Sequence, residues 1–278
     1  MTTTSPAASA ATAAPPATAD RPPTRTAAGP APPLSARPGE VRDVGAAHHE
    51  AVRARRWTTR GPAKVDGPVV VDEAALIGPA SIGGPVSAGR LRVDGSLDLA
   101  QGAEIAGALD VDGTVRGAGG IHVGEARVRG AMQLLGALTV DRLLAVVGQL
   151  AAPSVRAGGL SLDGSAEVPG ETVAREVDLR FRHASRLGSI RATTVRLSLR
   201  PPNPVELVFG RRIAVSVTRI EADSVSLEGV DVRFVRSPSI VLGRDAHLTE
   251  YEGTIVARHP SARVGPESRS PPPHGLSR

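Results

Sequence analysis

The chain has 278 residues, of which 41% are hydrophobic, only 2% are aromatic and none is cysteine. A core of this composition must be built from Val, Leu, Ile and Ala, and the missing cysteines exclude disulfide and thiolate-metal chemistry. The formal net charge of +5 sits at the ends: residues 1–64 carry +5 and residues 259–278 carry +2, leaving −2 between them, so a basic nucleic-acid-binding core is excluded despite a sequence pI of about 10.9.

The chain opens with "MTTTSPAASAATAAPP", which has neither the basic n-region nor the Leu-rich h-region of a secretory leader. Further along, no apolar run approaches the length that spans a bilayer, and the expectation is a cytoplasmic protein. Residues 1–60 read as a disordered Pro/Ala/Arg-rich arm with too few large apolar residues to offset the entropy of ordering. Its last part, residues 45–57 ("GAAHHEAVRARRW"), either forms a short basic helix or continues the arm.

A different pattern starts near residue 61. Written in sixes from Leu91, the chain shows one aliphatic column of Leu91, Leu97, Ala103, Leu109, Val115 and Ile121. Beside it stands a second column of Val93, Leu99, Ile105, Val111, Gly117 and Val123. Each hexad therefore has two inward residues around one outward residue, the period of a short strand, and glycines recur where the chain must turn. A helical period of 3.6 does not fit. Three such strands close a coil of about 18 residues, which explains why Val93-Asp94-Gly95 returns as Val111-Asp112-Gly113. The fold expected over 61–258 is all-β, a single β-helix or β-solenoid between disordered arms, with some ten coils.

Stacking at 18 also sets Arg92 beside Asp110 and Asp98 beside Arg116, both opposite charges, and Asp94 beside Asp112, a like pair. The segment "RPPNPVELVFGRR", residues 200–212, interrupts the ladder with three prolines. Steps of five follow, with Val225 and Leu227, Val230 and Val232, Val235, then Ile240 and Leu242, implying a tighter coil. Residues 259–278 return to a Pro/Ser-rich tail that reads as disordered.

The "V-D-G" ladder with Pro-rich arms resembles the bactofilins, polymer-forming bacterial cytoskeletal proteins. The stretch "IEADSVSLEGVDVRFVRSPSIVLGRDAHLTEYEG" carries the more specific likeness, through Val225, Leu227 and Glu228, then Val235 and Arg236, Ile240, Leu242 and Gly243, and finally Glu250 and Tyr251. The resemblance implies a right-handed β-helix that polymerises end to end without nucleotide, with an arm that touches membrane or partners. Its expected partner is a second copy of itself.

Weighed residue by residue, the sequence offers no catalytic, cofactor or metal site. His122 in "GIHVG" is the best general-base candidate for a hexapeptide-repeat acyltransferase, but it lies between inward Ile121 and Val123 and points to solvent, with no acidic orienter identifiable beside it. "HHE" at residues 48–50 lacks a third metal ligand. No phosphate-binding G-x-x-x-x-G-K-[ST] follows a strand, so no nucleotide cofactor and no small-molecule substrate are expected. Arg53, Arg55, Arg56 and Trp57 form a cationic cluster suited to an anionic membrane surface or an acidic protein, and the lack of interleaved aromatics argues against nucleic acid. Val205, Leu207 and Phe209 alternate as a strand and are candidates to cap the rod or join it to another. The functional expectation is a non-enzymatic, self-associating scaffold, with a capped monomeric binding module and the acyltransferase as alternatives.

Overall fold

In the computed structural model, which describes residues 39–200 and 214–267, every regular element is a strand. In chain order they are β1 (Glu40–Val44), β2 (Ala47–His49), β3 (Val52–Arg60), β4 (Ala63–Val65), β5 (Val69–Ile82), β6 (Val86–Leu99), β7 (Ala103–Gly117) and β8 (Ile121–Leu134). There follow β9 (Leu138–Ala151), β10 (Val155–Val173), β11 (Glu176–Phe181), β12 (Ser185–Leu199), β13 (Val215–Glu228), β14 (Asp231–Leu242), β15 (His247–Arg258) and β16 (Arg263–Val264). All belong to one parallel sheet that winds on itself as a right-handed β-solenoid of about 12 turns, with about 17 residues per coil.

The hexad pattern explains the winding. Leu91 and Val93 point inward on a first face, Leu97 and Leu99 on a second, and Ala103 and Ile105 on a third, all buried. Between the first and second faces the corner is a glycine, and successive corner glycines stack. Gly113 has a φ of +139°, and a Cβ there would lie 1.9 Å from the carbonyl oxygen of Gly95 in the coil below. Only glycine permits both the left-handed backbone and that approach. This glycine column runs to Gly164 and ends where Gly164 pairs with Phe181, a fully buried ring.

On the first face the inward column runs Val41, Trp57, Ala74, Leu91, Leu109, Ala126, Leu144, Leu160, Val177, Val195, Val225, Ile240 and Ile255. Leu144 is the seventh of these thirteen rungs. Most rungs are fully buried, and each Val or Leu withdrawn from water contributes on the order of 1.5–3 kcal/mol. Space across the coil is shared: Trp57 is surrounded in sequence by the small inward residues Ala54 and Ala63 and stacks on Ala74. Where Gly117 takes an inward place on the second face, the side chains of Leu134 and Ile121 fill the space beside it.

The predicted pairings across β6 and β7 occur as read: Val93 with Val111, Arg92 with Asp110, Asp94 with Asp112 and Asp98 with Arg116. Their side chains choose partly different partners. Arg116 and Asp98 approach to 3.9 Å, whereas Arg92 turns to Asp94 on its own strand (3.2 Å) and Arg90 takes Asp110 (3.3 Å). The steps of five also give the shorter coil expected, since Val217 pairs with Val232 and Val225 with Ile240, 15 residues on.

Two boundaries differ from the sequence reading. The solenoid begins at Glu40, so residues 40–60 are not arm and residues 45–57 are not a helix. Val52 and Ala54, then Trp57 and Thr59, occupy inward positions and bury there, because alternation along the strand turns every second side chain to the core even among arginines. At the other end the tail expected from residue 259 instead continues through Ala262, buried, and β16 to Glu267, which bridges to Tyr251. The rod is accordingly longer than ten coils, at roughly 58 Å for a spacing of about 4.8 Å. Residues 1–38, 201–213 and 268–278, and with them the expectations of disordered ends and of an interruption by "PPNPVELVFGRR", lie outside the described residues.

Candidate functional site

The N-terminal end of the rod carries its most unusual chemistry. In the first coil the inward positions are Val41 and Asp43 on the first face and Ala47 and His49 on the second, so an acid and a histidine stand where most later coils place Val, Leu or Ile. The Asp43 carboxylate accepts hydrogen bonds from the indole N–H of Trp57 (3.0 Å) and from Nε2 of His49 (2.9 Å). The His49 ring meets Trp57 edge to face at 6.3 Å. Burial alone would raise the Asp43 carboxyl, but the bonds from Trp57 and His49 and the charge of His49 outweigh it and hold it below the ordinary carboxylate value. A charged, hydrogen-bonded plug thus closes an end that the fold would otherwise leave apolar.

This cluster is missing from the sequence reading above. Its signal is the same hexad frame carried further upstream: 41 and 43, 47 and 49, 52 and 54, 57 and 59 are all inward pairs. Polar residues at three of those places, Asp43, His49 and Thr59, mask the pattern.

The cationic cluster is split by the strand. Arg53, Arg55 and Arg56 are exposed on β3, but Trp57 is fully buried, so it cannot join them in a membrane or partner contact. Arg56 is already engaged by Glu73 in the next coil (2.8 Å). His48 pairs with Asp66 (2.7 Å), which also takes Lys64 (2.9 Å), while adjacent His49 points the other way. Adjacent strand residues face opposite sides, so the "HHE" run does not converge on one point.

His122 lies exposed on the third face, as its flanking inward residues predict. It does have an acidic partner: Nε2 is 3.0 Å from Oδ1 of Asp141. The two are 19 residues apart in sequence and one coil apart in space, a proximity that only the finished winding reveals. Both side chains are more than half exposed. Beside them Glu125 binds Arg127 and Arg142.

Further along, the third face carries a ladder of alternating charge. Arg191 bridges Glu171 (2.9 Å) and Glu221 (3.1 Å), and Arg236 reaches Glu252 (3.0 Å). A shallow recess opens among these residues, and a second, more apolar one lies on the second face beside Leu99, Gly117, Leu134 and Leu135. Val205, Leu207 and Phe209 lie outside the described residues. On either side of that segment the described chain is held in the ladder: the N–H of Arg200 donates to the Phe181 carbonyl, and the Ala214 carbonyl accepts from the N–H of Ser185.

Among the described residues no group of three or more metal-ligating side chains converges, and no helix is long and apolar enough to cross a membrane. Comparison with known proteins gives no relative: no protein-family model, curated protein or solved structure matches the chain.

Proposed function

We propose that this protein is a non-enzymatic scaffold of bactofilin type, a rod that associates with copies of itself end to end and without nucleotide. The observation that carries the reading is the sheet order, in which β1 and β16 are terminal and each pairs on one side only among the described residues. A parallel sheet with free ends offers unpaired backbone donors and acceptors, and a second rod completes them. The apolar residues exposed at the two ends, Val44 (87% exposed) in the first coil and Val256 (64%) in the last, fit the same role.

Purified full-length chain without nucleotide, viewed by negative-stain microscopy and weighed by sedimentation, tests this beside Val44→Asp and Val256→Asp variants. Filaments lost in either variant support the reading; wild-type monomer at high concentration overturns it. The Asp43 and His49 plug favours a second outcome, in which the N-terminal end stays closed because stacking would bury a carboxylate. Discrete dimers lost on Val256→Asp but not on Val44→Asp would mark that case. Expected anchors to an anionic surface or acidic partner reduce to Arg53 and Arg55, and charge reversal there tests them by co-sedimentation with anionic vesicles.

A further inference from the structure

The strand β9 departs from the rest of the first face. Its inward residues Leu144 and Val146 are buried as usual, but its three outward positions are Leu143, Ala145 and Val147, all apolar, with Leu143 39% and Val147 54% exposed. An alternating strand with one wet side should show polar residues there, and a continuous apolar run is the mark of a strand covered on both sides. The neighbouring strands on this face keep the polar rule. On β8 the outward residues are Glu125, Arg127 and Arg129, and on β10 they are Gly159, Ser161 and Asp163.

We propose that a second copy of this chain covers β9, face to face, with the two rods antiparallel about a two-fold axis that runs along β9. Three observations select that occupant and that arrangement. First, Leu144 is the seventh of thirteen rungs, so an axis over β9 overlaps the two first faces along their whole length. At about 4.8 Å per strand and about 3.3 Å per residue, a face roughly 58 Å by roughly 13 Å is on the order of 750 Å², close to the ~800 Å² a side of a standard interface.

Second, the charges beside the apolar strip are self-complementary. Arg129, Val147 and Asp163 occupy one column, so the axis sets Arg129 of each copy against Asp163 of the other. Arg129 is exposed and forms no ion pair with any described residue. One rung further out, Asp112 meets Arg180 in the same way, and the like pair Asp110 and Asp178 is offset by their own partners Arg90 and Arg180. Third, the parallel alternative, with the axis along the rod, sets Arg127 against Arg127 directly beside the strip. The contact is lateral and uses neither end, so it stands apart from end-to-end association.

The chain has no cysteine, so introduced thiols report alone. Because facing sheets lie about 10 Å apart, a short bis-maleimide is the linker of choice. The full-length A145C variant should cross-link to itself. An equal mixture of R129C and D163C should cross-link between the two chains while R129C alone stays monomeric, and L143E with V147E should halve the mass seen by sedimentation while the far-ultraviolet spectrum keeps its β signature. An A145C chain that stays uncross-linked, an R129C chain that links to itself, or an unchanged mass in the double variant would overturn the contact.

Discussion

The indole N–H of Trp57 donates to the Asp43 carboxylate across the first coil boundary, 3.0 Å away, tying the second rung of the rod to the first. Asp43 also holds His49, so its removal leaves two polar groups without an acceptor. An Asp43→Ala chain should lose about 1–3 kcal/mol of local stability at the N-terminal coil. Coils of a solenoid contact only their neighbours, so the loss should stay local. Trp57 is the only tryptophan, and its emission should shift to the red in the variant while the midpoint for the remaining coils moves little. An unshifted emission would place the strength of the cap elsewhere.

The same cluster predicts an acid response. Asp43 is held below its ordinary value, as are Asp163, through its hydrogen bonds from Arg182, and Asp66, through His48 and Lys64. A carboxyl with a lowered folded value contributes stability that is fully present above its unfolded value and lost as pH falls through the folded one. The rod should therefore keep its full stability near neutrality and begin to loosen only below about pH 4. Trp57 emission followed from pH 7 to pH 2 should change in that lower window, and Asp43→Asn should flatten the change.

Two glycines four residues apart on β7 should behave in opposite ways. At Gly113 a methyl group would meet the Gly95 carbonyl at 1.9 Å on a backbone with φ +139°, and the obstacle is main chain that cannot move without breaking the ladder. Gly113→Ala should cost upwards of about 3 kcal/mol, combining left-handed strain with the clash. At Gly117 the one close atom is the Leu134 Cδ2 at 2.9 Å, the end of a side chain that can turn aside, while the Gly119 carbonyl oxygen at 3.6 Å and the Ile121 Cδ1 at 3.9 Å are at ordinary contact distance. Gly117→Ala should change stability by no more than about 1 kcal/mol. Thermal denaturation of the two variants side by side decides it.

The hexads of Leu91 to Val123 made the winding legible because three short strands per coil leave an alternating apolar trace with a fixed repeat, and the paired columns at 18 followed from it directly. What stayed hidden has two physical sources. Asp43 and His49 take inward places at the end of the rod, where hydrogen bonding to Trp57 replaces apolar burial, so the pattern vanishes where the structure still continues. His122 and Asp141 meet only through the winding, and the coil length that joins them varies: Leu91 to Leu109 is 18 residues, Leu144 to Leu160 is 16. The apolar outward side of β9 was present as "LLAVV" all along, but alternation absorbs such a run unless the outward positions are tracked separately.

The two described phenylalanines separate packing from surface contact. Phe181 is fully buried at the corner where Gly164 gives way to a large side chain, and Leu199 stacks on it in the next coil. Nothing flexible lies near enough in sequence to fill its place, since the inward residues before it are Val177 and Leu179, each already locked in a rung. Phe181→Ala should therefore open a cavity and cost about 3–5 kcal/mol. Phe234 lies outward on β14, half-buried beneath the Arg219 guanidinium at 5.0 Å from the ring centroid, and Phe234→Ala should cost about 1 kcal/mol or less. Because Phe181 ends β11 and pairs with Gly164 of β10 on one side and Leu199 of β12 on the other, its loss should also raise hydrogen exchange in both neighbouring coils, an effect that Phe234→Ala should not share. Equal destabilisation by the two substitutions would mean that the corner closes around the missing ring, and that the wedge is replaceable.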